Sequence, residues 1–166
     1  LVALILAVLI FLLVPLRSAS QKKQGPAPAV LQGLKRISAN PQTWICSLIG
    51  FGMAATMLGL GGLWGVPWLT SALDYSITEA AGITSMIFVG WAIFSPLAGW
   101  FSDRFGRRNI ILTGGALLAL VSLAVLLYAT PSQTALLMLL MFLIGAGGSS
   151  MTVCFGSVRE LNDPAY

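Results

Sequence analysis

Two long runs without a charged side chain constrain this sequence more than any other feature. Residues 80–102 contain no Asp, Glu, Lys or Arg, and residues 109–158 contain none over fifty positions. Between the runs, the six positions from Asp103 to Arg108 hold four of the nine basic and five acidic residues of the chain. A helix needs about twenty apolar residues to cross a bilayer. The pattern therefore predicts membrane helices joined by a short charged loop.

The composition excludes most soluble classes of protein. The chain is 57% hydrophobic and 8% charged, with a mean hydropathy of +0.91, whereas soluble domains carry about 25% charged residues. The basic residues lie beside apolar spans and are not interleaved with aromatic residues, which argues against nucleic acid as a partner. Histidine is absent, and Cys46 and Cys154 fall within predicted spans. We therefore expect no metal site, no cofactor and no enzymatic activity.

The predicted fold is all-α, a polytopic membrane protein with one truncated and four complete transmembrane helices. Residues 1–16 are the end of a span, residues 17–40 form a basic linker, and residues 41–166 form a partial helical bundle. The apolar start of the chain and its end after a span suggest an internal fragment of a longer protein. The complete spans are expected at about 41–69, 77–101, 109–129 and 133–157.

Several sequence patterns indicate where helices begin. Asn40 followed by Pro41 is typical of a helix start, and Ser76 with Glu79 three positions later forms a capping box. The second half of the linker admits two interpretations. It is either an unstructured segment or a short amphipathic helix on the membrane surface. The helical interpretation depends on four apolar residues that share one helical face: Val30, Leu31, Leu34 and Ile37.

The outer half of the first complete span is dense in glycine. Gly61 and Gly65 have the spacing that allows close helix packing in lipid, and Pro67 follows. Proline removes a backbone donor and glycine weakens a helix, so the span is expected to bend or unwind here. Simple packing is the alternative, because glycine is common in membrane helices.

The distribution of basic residues predicts the orientation in the membrane. All nine lie in the linker, the charged loop or the segment after the last span, whereas loops 70–79 and 130–132 contain none. Basic loops remain on the cytoplasmic side. We therefore expect the linker and the charged loop to be cytoplasmic, in a multi-pass protein of a bacterial inner membrane or plasma membrane.

The charged loop resembles a known signature. Gly99-x-x-x-Asp103-Arg104-x-Gly106-Arg107-Arg108 is similar to the cytoplasmic loop of the major facilitator superfamily of secondary transporters, which joins the second and third helices of each six-helix half. Orientation alone would explain the arginines, but it would not explain the acid or the two glycines. The linker and its neighbouring spans imply helices six to ten, with the N-terminal half of the transporter missing.

The resemblance implies a secondary active transporter that moves a small solute across the lipid bilayer by alternating access, driven by a coupling proton or ion. The signature loop would act as a latch for one state. Asp103 would accept hydrogen bonds from the N-terminus of a facing helix. The predicted latch comprises Gly99, Asp103, Arg104, Gly106, Arg107, Arg108 and Glu160.

In this family the first and fourth helices of each half line the substrate cavity. On the first, Met57, Trp64 and Trp68 are expected to share a face with Gly61, and Trp64 serves either as a stacking platform or as an interface anchor. On the fourth, polarity would come from Ser149, Ser150 and Thr152. A membrane-embedded sensor or assembly protein predicts the same spans, but gives no reason for the signature loop.

Overall fold

A computed structural model describes residues 30–161, and all regular structure within that range is helical. The helices are α1 (Val30–Ala39), α2 (Pro41–Leu58), a π-helical segment (Gly59–Trp64), α3 (Gly65–Ala72), α4 (Ile77–Phe105), α5 (Arg108–Ala129), α6 (Thr134–Gly148) and α7 (Met151–Leu161). Four stretches are long and apolar enough to cross a membrane: Pro41–Ala72, Ile77–Phe105, Arg108–Ala129 and Thr134–Val158. The all-α prediction is confirmed. The expected partial span 1–16 and the first part of the linker lie outside the described residues.

The start of the first span follows the capping rules that its sequence indicates. Asn40 accepts a hydrogen bond from the backbone N–H of Gln42 at 3.0 Å, and Pro41 takes the first helical position. The second half of the linker is helical, because it forms α1. The indole N–H of Trp44 donates to the carbonyl of Ser38 at 2.8 Å and ties the end of α1 to α2.

The first span does not remain α-helical. Between α2 and α3 the backbone widens into the π-helical segment, where the N–H of Gly65 donates to the carbonyl of Leu60, five residues back. Pro67 has no N–H to donate to the carbonyl four residues earlier, which favours an irregular turn at this point. The predicted disturbance is therefore present, as a wider turn. The span continues to Ala72, three residues beyond the predicted end.

The second span begins with the predicted capping box. The backbone N–H of Ser76 donates to the Glu79 carboxylate at 3.1 Å, and the N–H of Glu79 donates to the Ser76 hydroxyl at 3.3 Å. Two of the four backbone donors at the start of α4 are thereby satisfied. The helix extends to Phe105.

The loop after α3 and the loop before α6 lie at the same end of the bundle. The hydroxyl of Tyr75 contacts the Thr134 hydroxyl at 2.9 Å and donates to the carbonyl of Ser132 at 3.3 Å. The main apolar core is next to these loops and consists of Met57, Leu69, Ala80, Ile83, Ile87, Leu126, Leu137, Leu140, Met141 and Ile144. The loop between α4 and α5 lies at the opposite end.

Helix α6 packs closely against two helices through glycines. A Cβ atom at Gly145 would lie 2.7 Å from the carbonyl carbon of Ile87 in α4. A Cβ atom at Gly147 would lie 2.8 Å from the backbone nitrogen of Ala119 in α5. Residues two apart on a helix point about 200° from each other. The two glycines therefore allow α4 and α5 to approach α6 from opposite sides.

The last span is interrupted after these glycines. Helix α6 ends at Gly148 and α7 begins at Met151, whereas the sequence predicted one continuous span. The backbone N–H of Ser150 donates to the carbonyl of Gly147 at 3.2 Å, and that of Val153 donates to Ser150 at 3.0 Å. These bonds span three residues instead of four, which is a tighter winding than that of an α-helix.

Candidate functional site

The charged loop between α4 and α5 is the candidate site, and a glycine closes the helix before it. Gly106 has φ of 61°, a left-handed conformation that glycine adopts without steric cost, and its N–H donates to the carbonyl of Ser102 at 3.0 Å. This is a common way for an α-helix to end. The chain then enters α5 at Arg108, only two residues later.

Arg108 connects the loop to α7. Its guanidinium lies against Gly156, where an added Cβ atom would be 3.1 Å from the Arg108 Cζ atom. A guanidinium nitrogen of Arg108 lies 3.9 Å from a carboxylate oxygen of Asp103, whose side chain is 79% exposed while that of Arg108 is 20% exposed. An ion pair this long and this exposed contributes little to stability. The packing of Arg108 on Gly156 joins the loop to α7.

The other two arginines of the loop occupy different surroundings. The guanidinium of Arg104 lies 5.6 Å from the centre of the Trp100 ring, which is within range of a cation–π interaction. Arg107 and Arg108 line a cavity of about 620 Å³ together with Asn109, from α5, and Ser157, from α7. The structure therefore gathers positive charge at this end of the bundle.

The predicted latch is only partly assembled within the described residues. A Cβ atom at Gly99 would meet nothing within 4 Å, so no described helix packs against it. Within residues 30–161, no helix N-terminus donates a hydrogen bond to Asp103. The side chain of Glu160 lies outside the described part of the chain. The roles assigned to these three residues remain predictions.

The residues predicted for the first wall of a substrate cavity differ in burial. Met57 belongs to the main apolar core and is 7% exposed, and Trp68 packs against the same core, whereas Trp64 is 70% exposed. Trp64 lies in the π-helical segment, whereas the expectation of one shared face assumed an α-helix throughout, and the role of these residues in a substrate cavity stays a prediction. A π-helical turn contains an extra residue, which rotates the following residues by about 100° around the axis.

The hydroxyl groups of the residues predicted to line the cavity donate to backbone carbonyls three residues earlier in the chain. Ser149 donates to the carbonyl of Ala146 at 2.7 Å and Ser150 donates to that of Gly147 at 2.8 Å, and both serines are buried. Thr152 is half-buried and donates to the carbonyl of Ser149 at 2.9 Å. These bonds satisfy carbonyl groups where the helix is interrupted, which a membrane interior requires.

Sequence reasoning did not identify the partner of Gly65. A Cβ atom at Gly65 would lie 2.7 Å from Cγ2 and 3.0 Å from Oγ1 of Thr84, on α4. Thr84 is buried, and its hydroxyl has no hydrogen-bond partner within residues 30–161. The glycine spacing indicates a close helix contact, but no local pattern points to Thr84 as the residue opposite.

The described residues offer no metal centre, since no three Cys, Asp or Glu side chains among them are grouped to hold an ion.

The Major Facilitator Superfamily profile matches residues 1–160, nearly the whole chain. No curated protein and no solved structure matches significantly. The match covers the four membrane helices and the loop whose residues resemble the family signature. This chain therefore belongs to the Major Facilitator Superfamily, a family of integral membrane transporters.

Proposed function

We propose that the chain is part of a secondary active transporter that moves a small solute by alternating access, coupled to a proton or another ion. The observation that carries the proposal is the loop between α4 and α5. There, Gly106 makes a tight turn between two membrane helices, and Arg108 reaches across to α7. Family membership supplies the transport function in general terms, and the loop suggests how one conformational state is held.

We further propose that the four described spans are helices seven to ten of a twelve-helix protein. A basic linker precedes the first span, and the signature loop joins the second span to the third. That order fits the second half of a transporter with two six-helix halves. The first half would supply the surface that Gly99 and Asp103 meet.

The proposed latch depends on the accessibility of Asp103. Its side chain is largely exposed, and its contact with Arg108 is long at 3.9 Å, so within residues 30–161 it is left accessible to a helix end on the other half. The amides at a helix N-terminus carry partial positive charge, which favours a nearby carboxylate. Such a contact is weak enough to break in each transport cycle. Arg108 holds the loop against α7 while that happens.

The orientation gives the first prediction. We expect single cysteines at Lys22 or Arg107 to react with a membrane-impermeant maleimide only from the cytoplasmic side, and cysteines at Asp74 or Gln133 only from the other side. Basic loops stay cytoplasmic, and the Tyr75 contact places the loops containing Asp74 and Gln133 at one end. Replacing Cys46 and Cys154 by serine would remove the native thiols. Labelling of Asp74 and Arg107 positions from the same side would refute this topology.

The second prediction tests the latch. Asp103→Asn should leave insertion unchanged but slow transport and shift the full-length protein towards the inward-facing state. The change retains a hydrogen-bond acceptor but removes the charge–dipole attraction, which is typically about 0.3–1 kcal/mol at exposed sites. A loss of about 1 kcal/mol shifts a two-state equilibrium about fivefold. Distances between spin labels on the two halves, with solute uptake in proteoliposomes, measure both effects.

A matched control is available in the loop after α3. Asp74 is also exposed and has a positive φ of 55°, which asparagine tolerates well. Asp74→Asn should change neither the distance distribution nor uptake. If Asp103→Asn behaves in the same way as Asp74→Asn, Asp103 is an ordinary solvated residue and the latch does not exist.

A further inference from the structure

A cavity of about 430 Å³ lies between α2 and α7. Its walls include Cys46, Gly50 and Phe51 from α2, and Met151, Cys154 and Phe155 from α7. A Cβ atom at Gly50 would come within 3.8 Å of the Cys154 sulfur. The missing side chain at Gly50 therefore leaves space between the two helices. The volume is in the range typical of small-molecule sites, about 300–1,000 Å³.

The cavity lies on a particular side of the bundle. A different face of α2, which includes Leu48 and Gly52, lines a separate groove with Ala116 and Leu120 of α5. The cavity between α2 and α7 is therefore on the side of α2 away from α5. If the proposed function is correct, α2 and α7 belong to the two helices of this half that border the transport path.

The chemistry of the walls is almost entirely apolar. Two phenyl rings and a thioether surround two thiols and the hydroxyl of Ser47, and none of the lining residues is charged. No acidic side chain lines the cavity, and its lining residue Cys46 also borders the cavity that Arg107 and Arg108 line. A cationic ligand here would lose its hydration without a counter-charge among the lining residues. Phenyl rings and a thioether bind flat aromatic groups well.

We infer that this cavity binds a largely aromatic small molecule without positive charge, and that this is the substrate class of the transporter. Only the identification of the ligand as a transported substrate rests on the proposed function. Binding itself follows from the cavity and its walls. Phe51 and Phe155 are 70% and 73% exposed, respectively, so no described residue covers either ring.

Thiol protection in the full-length transporter tests the inference without any ion gradient. In a Cys154→Ser variant, with any thiols elsewhere in the protein also removed, Cys46 is alkylated by N-ethylmaleimide. The probes are 1-naphthalenemethanol, which is neutral, and 1-naphthylmethylammonium, which has the same shape and a positive charge. At about ten times its dissociation constant, the neutral probe should slow alkylation roughly tenfold. The cation should have no effect.

Two glycine variants locate the bound probe. Gly50→Leu fills the cavity and should abolish protection by the neutral probe. Gly52 is two residues further along α2, about 200° around the helix, and faces open space within the described structure, where nothing lies within 4 Å of an added Cβ. Gly52→Leu is therefore the matched control. It should leave protection intact.

Each remaining outcome overturns the inference. Equal protection by both probes, protection by neither, or protection that survives Gly50→Leu would each do so. An unreactive Cys46 in the absence of probe would show that another helix of the transporter fills the cavity. Energised uptake of the neutral probe is measured separately. Specific binding without uptake would leave the site in place and contradict the proposed transport function instead.

Discussion

Replacing Gly145 by alanine is expected to destabilise the full-length protein strongly. The added methyl group would meet the backbone of Ile87, whose carbonyl carbon and Cα would lie 2.7 and 3.0 Å away. Backbone atoms cannot turn aside as a flexible side chain can, so α4 and α6 would have to separate. Overpacking of this kind typically costs about 1–3 kcal/mol, and occasionally more. The measurement is the midpoint of thermal unfolding in detergent, followed by size-exclusion chromatography after heating.

Gly148 provides the control on the same helix. A Cβ atom there would meet only the carbonyl oxygen of Met53, at 3.9 Å, which is an ordinary van der Waals contact. Gly148 is buried, but the added methyl group fits there without displacing a neighbour, so Gly148→Ala should unfold close to the parent protein. Equal midpoints for the two variants would mean that α4 and α6 do not cross at Gly145.

The second large effect is expected at Gly65, where alanine should reduce transport severely while insertion and expression stay close to normal. Its methyl group would press on Cγ2 of Thr84 at 2.7 Å and on the carbonyl oxygen of Leu60, which the π-helical turn brings close. The turn must then rewind or move away from α4. Hydrophobicity, which governs insertion, is unaffected. Uptake per inserted molecule is the quantity to measure.

The chain again offers a matched control variant, and a second substitution that should rescue the first. Gly62 lies in the same π-helical segment, and a Cβ atom there meets nothing within 4 Å in the described structure, so Gly62→Ala should transport normally. Thr84→Ala removes the methyl and hydroxyl groups that face Gly65, and combined with Gly65→Ala it should restore part of the lost uptake. Normal uptake by Gly65→Ala alone would show that the π-helical turn is not needed for transport.

Much of the fold could be predicted because the relevant information is local. Membrane spans follow from hydrophobicity over about twenty residues, and the caps at Asn40 and Ser76 from a few neighbouring positions. The need for glycine at position 106 follows similarly from a tight turn between two helices. These features do not depend on which helices meet.

Other features could not be predicted because they depend on contacts between distant segments. The π-helical turn changes which face Trp64 occupies, and its position cannot be derived from a helical wheel with a fixed period. Nothing local in the sequence indicates that Gly145 and Gly147 face two different helices. The same holds for Arg108, whose place against Gly156 joins residues 48 positions apart in the sequence.

The central place of α6 has a consequence for biosynthesis. In the most apolar stretch of each span, 61% of the residues are buried in the last span, against 11–28% in the three before it. Both α4 and α5 pack on the glycines of α6, which the ribosome makes after them. During translation these two helices therefore enter the lipid before the helix that they pack against most closely within residues 30–161. The four-helix bundle can close only after Thr134 and the residues that follow it have been inserted.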